Sequence, residues 1–297
     1  MNKPVVLTID IGSSSVRANL FGADARQLVK YETQVHYAFD TTGDGGVEMA
    51  TAKLVEAVFS AVDGTLGKAG KLADAILGVG MCSLVPNVVG VDVSGRAVTP
   101  IYIWADTRSS LQAEELKSRS DDSIVREQTG CPIHPSYLPA KLMWIRETMP
   151  EKYSKVRKWL SLGDFVYLQL FGEARQSLSV ASWSGLLNRH TLGWDVDVLG
   201  AIGVEADYLP ELVDVGEPSM GLKGEFAARW PQLRDVPWYS CVGDGVTSNL
   251  GSGCVGADEV AVQVGTSGAM RALVAGEVRW IPMGLWCYRM DRKTALL

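Results

Sequence analysis

Two aspartates and two glycine-serine turns are the residues of this sequence whose types and spacing could handle a polyphosphate. Ile9-Asp10-Ile11-Gly12-Ser13-Ser14-Ser15-Val16-Arg17-Ala18-Asn19-Leu20 aligns without gaps with Val262-Gln263-Val264-Gly265-Thr266-Ser267-Gly268-Ala269-Met270-Arg271-Ala272-Leu273. Each copy reads as an apolar strand, a Gly-[Ser/Thr]-Ser turn and a second strand. Glycine lets a ligand approach the backbone, and successive N–H groups and hydroxyls then donate to phosphate oxygens. Either turn alone is explained as a plain hairpin, because Gly and Ser are ordinary turn residues. Recurrence with the same flanking strands points instead to two grips on one polyphosphate, formed by Gly12, Ser13, Ser14 and Ser15 on one side and Gly265, Thr266 and Ser267 on the other.

The copies differ at Asp10, where the second has Gln263. A carboxylate at the end of a buried strand is costly unless it is paired or metal-bound. The first turn is therefore the candidate Mg²⁺ side and the second a neutral donor side. Asp244 lies between Gly243 and Gly245, where a strand pattern gives way to a helix. It reads as a helix N-cap and as a general base for an attacking hydroxyl, two compatible roles, because a strand's carboxyl end beside a helix start is where α/β proteins place ligands.

The elements that must hold these residues follow from periodicity. Val5–Ile11 is nearly all apolar, as expected of a strand buried on both faces, and Val16–Phe21 alternates. Helical spacing runs from Ala50 to Leu66, followed by strand patterns at Ala75–Gly80, Val88–Val91 and Ile101–Trp104. Residues 109–172 are largely helical, with helices expected over Leu138–Thr148, Tyr153–Leu160 and Phe165–Phe171. Residues 173–236 are mixed, with a cap at Asp195. A strand over Trp238–Val242 and a helix over Val246–Gly253 then precede the second strand–turn–strand. The fold class is α/β with mixed sheets, and the change in character at Pro237 divides the chain into domains 1–236 and 237–297.

The chain has 297 residues, 47% apolar and 21% charged, with a net charge of −6. That balance argues against nucleic acid as a partner, so an anionic ligand must be held by local donors and a metal. Five scattered cysteines without C-x-x-C, and three histidines without ligand spacing, argue against a disulfide framework or zinc site and suit a reducing cytosol. No secretory signal opens the sequence. The uncharged stretch from Ala75 to Val91 is broken by Gly and Pro, which excludes a membrane span. A cytoplasmic protein is expected, and a homodimer is left open.

Together these segments resemble the FGGY family of carbohydrate kinases, a branch of the actin-like ATPase and sugar-kinase superfamily with a ribonuclease H-like fold that also includes hexokinase and the heat-shock chaperone ATPases. Asp10-Ile11-Gly12-Ser13-Ser14-Ser15 is similar to the family's first phosphate motif. Gly243-Asp244-Gly245 is similar to its catalytic-base motif, and Gly265-Thr266-Ser267-Gly268 to its second phosphate motif. The resemblance implies that Asp10 holds Mg²⁺ through water, that Asp244 is the base, and that the turns contact ATP. Met81-Cys82-Ser83 stands where pentulose kinases carry a substrate-touching Met-His-Gly, so the missing histidine and glycine count against xylulose. Trp104, Asp106 and Arg108 resemble a W-x-D-x-R segment beside the sugar; a structural Asp106–Arg108 ion pair explains the same residues equally well.

The stretch His134–Trp144, with Ser161-Leu162-Gly163-Asp164 and Leu285-Trp286-Cys287-Tyr288, looks like gluconate kinases of the family, making gluconate the first expected substrate. Xylulose or another sugar of the family is the alternative, as is a sugar-binding remnant without catalysis. An actin-like assembly protein would share the turns but have no need of Asp244. Lys141 could reach a sugar-acid carboxylate or be a solvated surface charge; Trp183 and Trp194 could line a sugar cleft or simply pack. Family members continue into a glycine-rich adenosine-binding segment not present here. The expectation is therefore a complete first domain, the opening of a second with uncovered apolar faces, weak nucleotide binding and little turnover by the isolated chain.

Overall fold

The computed structural model describes residues 3–256, 258–264 and 268–297. Strand β1 (Val5–Ile11) forms an antiparallel hairpin with β2 (Ser15–Gly22), which pairs onward with β3 (Thr33–His36). On its other side β1 runs parallel to Ile76–Ser83, placing Asp10 beside Cys82 and Ile11 beside Ser83. Trp238–Tyr239 and Val242–Gly243 both add to Ile76–Ser83 in parallel, and Pro218–Ser219 closes the edge. The first sheet thus continues beyond Pro237.

β1 is not buried on both faces. Val5, Leu7, Ile9 and Ile11 are at most 3% exposed, whereas Val6 is 41% exposed and Thr8 and Asp10 are half-buried. One face meets the core; the other lines an open cleft. Helix α1 (Thr51–Ala69) covers the core face of the β1–β3 hairpins through Leu54, Val58, Ala61 and Val62, and the Thr65 hydroxyl donates to the Ala18 carbonyl at 2.9 Å.

An antiparallel sheet of Asp40–Thr41, Val47–Met49, Ile101–Ile103, Asn87–Val91 and Lys158–Leu160 stands beside the first. Its last strand corrects the expected helix over Tyr153–Leu160. Only Pro150–Tyr153 is helical; Lys158–Leu160 pairs with Val89–Val91 and buries Trp159 and Leu160. Pairing with a distant strand overrides local periodicity here. A second core, including Leu142, Met143 and Ile145, fills the space under helix Leu138–Thr148.

Ser161 and Asp164 form a capping box on helix Leu162–Phe171: the Ser161 amide donates to Asp164 at 2.9 Å, and the Asp164 amide to the Ser161 hydroxyl at 3.2 Å. Gln176 adds a bond at 2.5 Å. Burial pushes the Asp164 carboxyl up to about 6, against the lowering effect of these bonds. A folded-state pKa above the unfolded value means that the stability contribution is present below the unfolded pKa and lost as pH rises through about 6. Asp164→Asn keeps acceptors for Ser161 and Gln176 but removes this charge. The wild type is therefore expected to lose up to ~3 kcal/mol relative to D164N between pH 4 and pH 8, measured by urea unfolding.

Val260–Val264 and Gly268–Ala275 pair antiparallel, and Thr294–Leu296 and Tyr288–Arg289 extend the sheet. Val262, Val264 and Met270 are 67–84% exposed. The chain nevertheless returns to the first domain: the Cys287 amide donates to the Gly130 carbonyl at 3.1 Å, the Ile281 amide to Glu127 at 3.1 Å, and buried Arg189 bridges Glu127 and the Val278 carbonyl. Gly130 has φ +79°, and a Cβ there would lie 1.8 Å from the Cys287 carbonyl oxygen. Gly130→Ala is expected to cost about 2–4 kcal/mol and to open the 278–291 segment to proteolysis before global unfolding.

Candidate active site

A cleft of about 810 Å³ opens between the solvent face of β1 and the strands around Val260–Ala275. The first turn forms one end. The Gly12 amide donates to Ser15 O at 3.0 Å, the Tyr37 amide to Ser14 O at 3.0 Å, and the Tyr37 hydroxyl to Gly12 O. Gly12 has no left-handed φ, and a Cβ there would meet nothing closer than Ser15 O at 3.4 Å. Neither backbone nor neighbours demand glycine at this position. Ser13 and Ser14 are exposed; Ser15 is buried, its hydroxyl 2.9 Å from the Gln34 amide. Gly265, Thr266 and Ser267, the second turn, lie outside the described residues, but Val264 pairs with Gly268 across it.

Asp10 projects from the cleft face of β1. One carboxylate oxygen lies 3.4 Å from the Cys82 thiol and the other 3.7 Å from Arg17, its cross-strand partner. Of the segment 81–83 only Cys82 turns its side chain toward Asp10. Met81 and Ser83 are at most 3% exposed, and the Ser83 hydroxyl has no hydrogen-bond partner. Burial and the nearby Asp10 charge hold the Cys82 thiol protonated, well above its ordinary range.

Asp244 begins helix Asp244–Gly251, but Gly243 takes the N-cap position and no side chain caps the helix. The expected capping role of Asp244 is therefore corrected: it occupies the first helical position instead. Val242 and Gly243 pair with Cys82 and Ser83, so the sheet brings Asp244 to the same strand ends as Asp10. Its carboxylate is open to the cleft, yet the surrounding walls withhold water and push the pKa up to about 6; Asp10 adds repulsion, and the Gly245 amide and Arg271 pull the other way.

Arg17 and Arg271 both line the cleft, and neither is identified above as a site residue. Alternation along β2 offered a signal for Arg17, the cross-strand partner of Asp10; Arg271 stands one position later in the aligned repeat, opposite Ala18, so the repeat offered none for it. Among the described residues no three His, Cys, Asp or Glu side chains gather to hold a metal. Asp10 does fit a hard divalent cation held largely by water and phosphate, because it is an accessible carboxylate with a single cation beside it.

The remaining candidates do not line this cleft. Asp106 is 1% exposed, accepts from the Val47 amide at 3.0 Å and pairs with Arg108 at 2.6 Å. Arg108 also bonds Glu48 at 2.5 Å and stacks over Trp144, 4.5 Å from its centroid. Trp104 beside them is 45% exposed. Lys141 is no surface charge: it is 1% exposed, donates to the Asp106 carbonyl at 2.5 Å, and burial pushes its pKa down to about 8. Trp194 donates to the Pro210 carbonyl at 3.1 Å, and Trp183 is buried behind Asp244.

A sequence profile of the FGGY family of carbohydrate kinases, N-terminal domain, matches residues 5–251. The chain is 31% identical over 291 residues to gluconokinase of Bacillus subtilis (strain 168), covering 97% of this chain and 55% of the relative. It is 25% identical over 267 residues to xylulose kinase of Lactococcus lactis, covering 90% of this chain and 53% of the relative. The chain thus spans about half the length of these curated relatives. The crystal structure of gluconate kinase from Lactobacillus acidophilus superimposes with a TM-score of 0.88 at 22% identity, over 99% of this chain and 58% of that one. The α/β architecture is the sugar-kinase, actin-like fold, with part of a second domain following the first. On the profile match and the shared length, this chain belongs to the FGGY family of carbohydrate kinases.

Proposed function

We propose that the chain carries the sugar-side half of an ATP-dependent kinase that phosphorylates a hydroxyl of a small sugar or sugar acid. The observation that carries this reading is the convergence of Asp10 and Asp244 on one cleft, at adjacent strand ends, with Arg17 and Arg271 facing them. Asp244 takes the proton of the attacking hydroxyl; its raised pKa keeps it basic enough for that task while ionised at neutral pH. Gly12 and Ser13 offer backbone and hydroxyl donors to the ATP phosphates, as the second turn would from the opposite side. The two arginines balance phosphate charge. Asp10 would hold Mg²⁺, and the ion would supply neutralisation of the charge that grows on the transferred phosphoryl group.

Gluconate is the first substrate to test, and xylulose, glycerol and related polyols stand beside it, since curated relatives carry each of these names. Cys82 in place of a histidine supports a substrate other than xylulose. Domain one supplies the sugar side and the Asp10 turn, and residues 237–297 the base and the second turn. The cytoplasm suits ATP as donor. No described helix is long and apolar enough to cross a membrane.

The test is titration calorimetry with each sugar, paired with detection of Mg·ATP-dependent sugar phosphate. Sugar binding with phosphorylated product supports the kinase reading. Sugar binding without product in the chain or in longer polypeptides containing it supports a binding remnant, and neither binding nor product overturns both.

A further inference from the structure

The glycines around Asp244 are explained by one side chain. A Cβ on Gly243 would lie 2.9 Å from Trp183 Nε1, and a Cβ on Gly245 would lie 2.9 Å from both Cζ2 and Cη2 of the same indole. Trp183 therefore fills the space on both sides of the Asp244 backbone. It follows directly on helix Leu178–Ser182, whose start is fastened to the strand leading into Asp244. The Ser179 hydroxyl accepts from the Gly243 amide at 3.2 Å, and the Ser177 hydroxyl donates to the Cys241 carbonyl at 2.5 Å.

The other face of the indole is covered from far along the chain. Tyr288 stacks on Trp183 with centroids 3.5 Å apart and planes 10° from parallel. Its hydroxyl meets that of Tyr137 at 2.7 Å, and the flanking residues are tied down through Cys287 to Gly130 at 3.1 Å and through Ser182 to the Arg289 carbonyl at 3.1 Å. The Trp183 N–H is buried without a hydrogen-bond partner. An orphaned donor is a cost, set against the larger area that an indole buries; the length of the ring is what lets one side chain meet both Gly243 and Gly245.

We infer that Trp183 is a positioning residue for Asp244, and that it ties the placement of this carboxylate to the docking of the Cys287–Arg289 segment on the first domain. The inference rests on the reading of Asp244 as the base. Movement of Tyr288 alters the wall against which residues 243–245 rest, so the base is in place only while that segment is docked.

The test uses the full chain with two paired readouts: transfer from Mg·ATP to whichever of gluconate, xylulose or glycerol supports most product, and the ¹H–¹⁵N amide resonances of residues 243–246. W183F is expected to lower the melting temperature by only a few degrees, while kcat falls about 10- to 100-fold and KM for the sugar stays within about threefold. G245A is expected to lose a similar factor. Combining it with W183F, which removes the ring atoms that meet the new methyl, is expected to cost no more than either change alone. Y288L, which removes the stacking ring, is expected to shift the amide resonances of residues 243–246. An unchanged kcat with unmoved resonances in W183F and Y288L, or fully additive losses in the double variant, overturns the inference. Transfer equal to that of D244N in the wild type would overturn the base reading alone; the resonances and the melting temperatures of the double variant still decide whether Trp183 positions residues 243–246.

Discussion

Replacing Asp244 with asparagine is expected to lower sugar-dependent phosphoryl transfer by about 10²- to 10⁴-fold while leaving sugar affinity within about threefold. Asparagine has the same shape and keeps an acceptor for the Gly245 amide, so the start of helix Asp244–Gly251 is preserved. What disappears is the ability to accept a proton as the hydroxyl attacks. The wild type should show a rate that rises with pH through about 6, because only the ionised carboxylate is a base and its pKa is pushed up to about 6 by its enclosed setting and by Asp10. Residual transfer in D244N should lack this limb. Parallel calorimetry and single-turnover product measurements check both halves. A variant that transfers at the wild-type rate would remove Asp244 from the chemistry.

What the sequence made legible, and what it hid, divides along the distance between partners. The first strand–turn–strand unit, the two strands of the second, the Asp195 cap and helix Leu138–Thr148 are set by neighbours a few residues away, and all are present in the structure. Asp106, Arg108 and Lys141 could not be resolved from their own segments, since Val47, Glu48 and Trp144 decide what they do. Lys141 looked like an ordinary helical surface charge because nothing local reveals that its ammonium ends on the Asp106 carbonyl. Ser161-Leu162-Gly163-Asp164, a segment that looks like gluconate kinases of the family, forms a capping box. Nothing near Trp183 in the sequence reveals its partners, which are the glycines at 243 and 245 and the ring at 288.

The second large effect is expected at Asp10. Asp10→Asn should weaken Mg·ATP binding and transfer by about 10- to 100-fold, the usual consequence of removing a carboxylate that orients a metal's water shell. Binding of sugar alone should change little, so the loss should appear in the magnesium concentration needed for half-maximal rate. The fold should tolerate the change: the Asp10–Arg17 pair is 3.7 Å apart with side chains 39% and 48% exposed, so little stability rests on it. Asparagine also retains an acceptor for the Cys82 thiol. A second consequence distinguishes this role from a merely electrostatic one. Removing the Asp10 charge relieves its repulsion of Asp244, so the acidic limb of the pH profile should move to lower pH in D10N. If Asp10 served only to repel Asp244, that shift would appear without any change in magnesium dependence. If it holds the ion, both change together, and magnesium titrations at two pH values on either side of 6 separate the cases.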